Sequence, residues 1–186
     1  MNLFILDADP IYAAVFNQDL HVKKIIIEGA QMLANAYDRN RLAQIDVPRT
    51  DKGTPRVGGL PNHPMSKWVR ENSANFAWTL RHIQALCEEY TYRFGARHYT
   101  EGFIDWVANN MPSLPDNPQT IQPQCFAQSF PECIVPGDPV KGYHNYYNKA
   151  KQFFVYGKNS KTPRRVFANW TKRKTPYFFI PMSRDI

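Results

Sequence analysis

The sequence predicts an all-α fold, a single compact helical domain over residues 1–186 with long loops, and three observations predict it. The chain of 186 residues is 43% hydrophobic and 14% aromatic, enough for one sizeable core and within the usual length of one domain. Apolar side chains recur at helical spacing in several separate stretches, whereas period-2 alternation is thin throughout. The stretches between them are rich in Pro, Gly, Asn and Asp, which is loop chemistry.

Residues 2–6 (NLFIL) form an apolar run too short for more than one buried extended segment. A first helix follows in DPIYAAVFNQ, because Asp9 can cap it and Pro10 suits its first turn. The run DLHVKKIIIEGAQML, residues 19–33, predicts a helix with two faces. Val22, Ile25, Ile26, Met32 and Leu33 gather on the core side, where Gly29 and Ala36 allow close packing. His21, Lys24, Glu28 and Gln31 share the other side at spacings of three and four, and Asp19 is the expected cap. Residues 38–63 lose all periodicity and read as a long loop, the kind that is usually functional or mobile. HPMSKWVREN predicts a short helix after Pro64, with Trp68 packed and Arg70 free to meet an anion. From Asn72 to Phe94 the stripe Phe76, Leu80, Ile83, Cys87, Tyr90 and Phe94 predicts the main core helix. A further helix starts near Thr100 and buries Phe103, Trp106 and Val107. Residues 111–139 hold seven of the fifteen prolines and are expected to wrap the surface. PVKGYHNYYNKAKQFFVY reads as a last amphipathic helix beginning at Pro139, and TPRRVFANWTKRKTP as a basic closing segment.

Composition excludes several classes. Three cysteines without a CxxC pair fit neither a disulfide framework nor a zinc site, and suit a reducing cytosol. MNLFILDADP lacks the basic start of a signal peptide, and no apolar run approaches the ~20 residues of a membrane-spanning helix. A cytoplasmic protein that meets no membrane, a monomer, is therefore expected. The five histidines fall in no metal-ligand spacing, Gly58-Gly59 lacks the lysine and hydroxyl of a phosphate loop, and no nucleophile elbow is present. No cofactor is expected.

The net charge of +7 is unevenly placed. Residues 140–186 carry eleven Lys and Arg against one acid, Asp185, leaving twelve basic and fifteen acidic residues in the first 139. Rings are interleaved with this charge, including Tyr143, Tyr146, Tyr147 and Trp170. Cations beside flat rings are what phosphate backbones and unstacked bases require, so a nucleic acid is the expected partner. Lys149, Arg164, Arg165, Lys172 and Arg173 are the candidate phosphate contacts, with Arg70 beside them.

The chemistry left to the mixed stripe is that of an amine and a carboxylate. An amine can attack an electrophilic carbon such as a sugar C1′, while a nearby carboxylate moves protons and stabilises a developing cation. The bland alternative is a solvated face with a Lys24–Glu28 ion pair.

The run from Asp19 to Glu28 resembles the catalytic helix of the phage pyrimidine-dimer DNA glycosylases of the endonuclease V type. There an aspartate and a histidine precede a catalytic glutamate, and His21 and Glu28 keep the seven-residue separation. YHNYYNKA (143–150) is similar to the family's aromatic-basic WYKYYGKA, and LCEEYTYRFG resembles the end of its central helix. Phage-encoded relatives with an LD-x-DP start, an HVVKM-type helix and an HP-x3-W-x-R-x3-N block look closer still. The resemblance implies an endonuclease V-like fold, double-stranded DNA as the partner, and a DNA glycosylase/lyase in which an α-amino group attacks C1′ of a flipped pyrimidine nucleotide and the glutamate does the proton chemistry. Asn2 is larger than the residues that normally permit Met removal, which leaves that amine on Met1. Ile27 and Gln31 stand where the family has arginines, and Lys24, one turn from Glu28, is the substitute nucleophile. The catalytic set is thus Met1, Asn2, His21, Lys24, Glu28 and Gln31. Two alternatives remain open: a transferase that attaches an amino acid or amine to an activated 5-hydroxymethyl pyrimidine in phage DNA, and a DNA-binding protein without catalysis.

Overall fold

The longest helix, α5 (Ser73–Phe94), is the element on which the others pack in the computed structural model, which describes residues 1–156, 162 and 164–182. Phe76, Leu80, Ile83 and Cys87 on its stripe are buried, as the periodicity predicts. Asn72 caps it by accepting from the Asn75 N–H at 2.8 Å, and Gly95, at φ 73, ends it in the left-handed conformation that glycine adopts without strain. Helices α1 (Pro10–Phe16) and α2 (Asp19–Ala34) lie against α5, with α4 (Pro64–Val69) and α6 (Glu101–Asn109) at its flanks. At the α2–α5 contact a Cβ on Gly29 would overlap the Ile83 side chain, so only glycine permits this approach.

The N-terminal run is buried and extended, as expected, with Leu3, Phe4, Ile5 and Leu6 all in the core. It is pinned to α5 by polar side chains. Trp78 Nε1 donates to the Ala8 carbonyl at 2.8 Å, and His82 sits between the carbonyls of Leu3 (3.1 Å) and Pro10 (3.0 Å). Burial lowers the His82 pKa to about 4, so the ring is neutral at pH 7 and donates to one of these carbonyls at a time.

Three expectations are corrected here. Helix α7 (Pro139–Ala150) stops before FFVY, and β1 (Phe153–Tyr156) pairs antiparallel with β2 (Arg164–Phe167), Phe153 opposite Phe167 and Tyr156 opposite Arg164. Aromatic and β-branched residues favour a pleated surface, and pairing with the segment Arg164–Phe167 overrides the helical reading. Within the expected loop, α3 (Arg39–Leu42) forms because Asp38 accepts from the Asn40 N–H at 2.6 Å. Asp19 is not the cap of α2. Gln18 holds that position without a side-chain bond, while the Asp19 carboxylate accepts from Thr171 and Asn169 and pairs with Arg93 at 3.2 Å, joining α2 to the closing segment.

Among the described residues there are seven α-helices, one 3₁₀ turn (Pro131–Cys133) and one two-stranded sheet, a mostly helical fold. The Pro-rich stretch sends Phe126 and Cys133 into a buried cluster that reaches from Leu3 to Phe179. No helix among the described residues is long and apolar enough to cross a membrane.

Candidate active site

Helix α2 holds Glu28 at the edge of the core, its side chain 16% exposed. Its Oε2 accepts from the backbone N–H of Asn2 at 2.9 Å, and its Oε1 lies 3.3 Å from Lys24 Nζ, a side chain 64% exposed. The carboxylate therefore has one backbone partner from the chain's first residues and one exposed cation. The first residues are themselves held in place. Asn2 Oδ1 accepts from the Phe4 N–H at 3.0 Å and from the Tyr143 hydroxyl at 2.7 Å, and that hydroxyl in turn accepts from the Cys125 N–H at 3.3 Å. The Ser66 hydroxyl meets Met1 Sδ at 3.8 Å. Phe4, at φ 49, occupies the left-handed region that a bulky side chain rarely adopts, and such strain persists only where the surroundings fix it.

His21 leaves the stripe. It is buried, its ring stacked on Phe4 at 4.0 Å and 13°, and its Nδ1 bonds the Tyr147 hydroxyl. Burial, then the charges of Lys151 and Lys24, hold the imidazole well below its ordinary pKa. Asn17 uses its amide nitrogen on the Ala13 carbonyl and so presents Oδ1 to the Tyr147 hydroxyl at 3.1 Å. That hydroxyl donates to Asn17, which makes His21 Nδ1 the donor to Tyr147 and leaves the lone pair on Nε2. The expectation of a four-residue stripe on one face is thus corrected: the first turn of α2 is covered by α7, and His21 becomes part of the core. Gln31 is exposed, but it lines a separate pocket and rests against Gly59.

Two groups near the site were not among the candidates. His63 caps α4 by accepting from the Met65 N–H at 3.2 Å. Burial and then the chain's α-ammonium push its imidazole below the ordinary value, while Glu28 pulls the other way. Lys151 Nζ lies 4.8 Å from the ring centroid of Tyr146, 5.7 Å from Phe4 and 5.8 Å from Phe154. The HP-x3-W block pointed toward His63. Nothing local marks Lys151.

The expected DNA-facing rings divide by burial. Tyr143 and Tyr147 are wholly buried in the face α7 turns inward, and Trp170 is buried against Phe179, with Nε1 donating to the Phe16 carbonyl at 2.8 Å. None of the three presents a face to a base, which corrects that assignment. Tyr146 is half-buried and stacked on Phe126 at 4.7 Å. Several cations are also committed. Arg173 pairs with Glu89, Lys172 Nζ donates to the Tyr92 carbonyl at 2.8 Å, and Lys149 lies 3.6 Å from Glu132. Arg70 is not free as expected, since it donates to the carbonyls of Pro61 (2.7 Å) and Ser66 (3.3 Å), although it still borders an open groove of about 630 Å³ with Lys67 and Trp68. Arg164 and Arg165 are exposed on β2 and form no ion pair among the described residues, with Arg165 5.0 Å over the Phe153 ring. Lys158, Lys161 and Arg184, which add to the basic balance of the C-terminal segment, lie outside the described residues.

No protein-family model, curated protein or solved structure matches this chain. A half-buried carboxylate holds a backbone nitrogen on one oxygen and an ammonium on the other, within electrostatic reach of the His63 imidazole. Such a set can accept a proton from an amine, return it to a leaving group and stabilise a cation between the two steps.

Proposed function

We propose that this chain is a DNA-processing enzyme of the endonuclease V-like type, a glycosylase/lyase that draws a pyrimidine nucleotide out of the duplex toward Glu28. The observation that carries the reading is the Glu28 carboxylate bonded to the nitrogen of residue 2 and to Lys24. In this reading an amine attacks C1′ of the flipped nucleotide. The N-glycosidic bond breaks, its electron pair leaves with the base, and Glu28 passes the amine's proton to that base. The sugar ring then opens: the C1′–O4′ bond breaks as the nitrogen's remaining proton passes through Glu28 to O4′, which leaves an imine between amine and sugar. Lys24 supplies the amine in the chain as it stands; a chain beginning at residue 2 would present its nitrogen as a primary amine already on the carboxylate. Arg164 and Arg165 carry phosphate contacts, with Lys24 at the carboxylate.

Borohydride trapping on abasic and damaged duplexes tests this. Reduction of the imine fixes a covalent protein–DNA adduct, and peptide mapping assigns it to Lys24 or to the chain start. If no adduct forms while Glu28-dependent change of a base is detected, the chemistry is base modification and the amine mechanism is wrong.

A further inference from the structure

Arg56 is 8% exposed and has no carboxylate within ion-pair distance among the described residues. Arginines are almost never fully buried unless paired, because an isolated charge loses its hydration without compensation. What Arg56 does have is modest. Its Nε donates to the Pro48 carbonyl at 3.2 Å and its Nη2 to the Arg49 carbonyl at 3.3 Å, while the guanidinium lies 4.9 Å over the Phe103 ring. Two of five N–H donors are used. Burial pushes the group below its ordinary pKa, with Tyr99 and Asp51 opposing. Asp51 thus acts on the guanidinium only from beyond ion-pair distance, and the fork itself has room for a directly bonded anion.

A place for that anion adjoins it. Arg56 walls a pocket of about 230 Å³ between Ile27, Ala30 and Gln31 of α2 and the loop that carries Thr50, Asp51 and Thr54. Arg56 is one of its lining residues while Pro48 and Arg49, whose carbonyls hold Nε and Nη2, are not, and the Nη1–Nη2 edge keeps donors to spare. The loop is preformed. Thr50 and Thr54 exchange a backbone bond at 3.0 Å and a hydroxyl bond at 2.7 Å, and Gly53 turns the chain at φ 72. The volume is below the roughly 300–1,000 Å³ of sites for drug-sized ligands, which sets the occupant at a few heavy atoms. A planar fork with parallel N–H groups matches the two oxygens of a carboxylate. Asp51 on the same wall repels a second negative charge, which selects against sulfate and dianionic phosphate.

We propose that this pocket is a binding site for a small, singly charged carboxylate held by the free edge of Arg56. The site is separate from the Glu28 chemistry and stands whether or not that reading does. Calorimetric titration of the full chain with propionate and with sulfate, alongside melting curves, tests it. The wild type binds propionate saturably and melts higher in about 50 mM propionate, and it binds sulfate more weakly. Arg56→Met lowers propionate affinity roughly thirty-fold or more, as expected when a buried charge partner is truncated. Because that variant removes two loop contacts, the exposed Asp51→Asn gives an independent readout: sulfate binding rises toward that of propionate with folding unchanged. Absence of saturable propionate binding by the wild type overturns the proposal. So does undiminished binding by folded Arg56→Met, or sulfate binding equal to propionate in both the wild type and Asp51→Asn, which would mark adventitious ion binding only.

Discussion

Replacing Tyr147 separates core packing from DNA contact at the residue where the aromatic-basic pattern and the structure disagree most. The ring is fully buried, 5.5 Å from Phe4 and 5.2 Å from His21, and its hydroxyl bonds both His21 and Asn17. Tyr147→Phe keeps the ring but leaves His21 Nδ1 and Asn17 Oδ1 without their shared partner, a loss of about 1–3 kcal/mol for buried polar groups. Tyr147→Ala adds a cavity and should cost about 3–5 kcal/mol. In a chain of this size 1 kcal/mol moves the melting temperature by roughly 2–4 °C, so the expected drops are about 2–12 °C for Phe and 6–20 °C for Ala. Calorimetric melting, paired with DNA affinity at several salt concentrations below each variant's transition, provides the assay. Unchanged melting with affinity weakened by a stacking-sized amount would refute the core assignment of this ring.

Other substitutions read different parts of the account. Arg164→Ala and Arg165→Ala should each weaken DNA binding uniformly across sequences and flatten the salt slope by about one unit, whereas Arg173→Ala should chiefly lower the melting temperature because it leaves Glu89 one partner short. Equal salt slopes for all three variants would contradict this division. His82 takes up a proton near pH 6.5 when unfolded but only near about 4 when folded. The unfolded state therefore holds more protons between those values, and stability falls as pH falls, by about 3 kcal/mol over the window. His21, also held neutral by burial, acts in the same direction. Urea unfolding at pH 7 and pH 4.5 should show a smaller loss in His82→Gln than in the wild type, and an equal loss would remove His82 from the acid response. Gly29→Val pushes a branched side chain into Ile83 and should cost about 1–3 kcal/mol by overpacking, seen as a lower urea midpoint; an unchanged midpoint would mean that α2 and α5 can part without cost.

What was legible in the sequence is what local spacing controls. The inward face of α2, the stripe of α5, the Asp9 cap and the short helix after Pro64 follow from side chains within a turn or two of one another. What was not legible depends on distant partners. The β1–β2 pairing joins residues across a connection whose sequence carries no alternation. The aromatic-basic run of α7 looks the same whether its tyrosines face solvent or core, and only the packing of α7 over the start of α2 decides that Tyr143 and Tyr147 point inward. The committed cations find their partners far along the chain, as Arg173 does with Glu89. At the site, Lys24 and Glu28 could be read together because four residues on a helix bring them into reach, but the bond from Asn2 to Glu28 spans 26 residues. Arg56 lay unremarked within a polar loop, since nothing in its neighbours' identities announces that it is buried.

The central claim is that Glu28 does proton chemistry on a nucleotide, and Glu28→Gln tests it most directly. The amide keeps an oxygen to accept the Asn2 N–H and alters little of the volume, but it can neither take a proton nor balance a cation. With a duplex substrate that the wild type turns over, single-turnover rates should fall by roughly 10²-fold or more while DNA affinity stays within a few fold. Wild-type turnover by a folded Glu28→Gln variant would contradict the account.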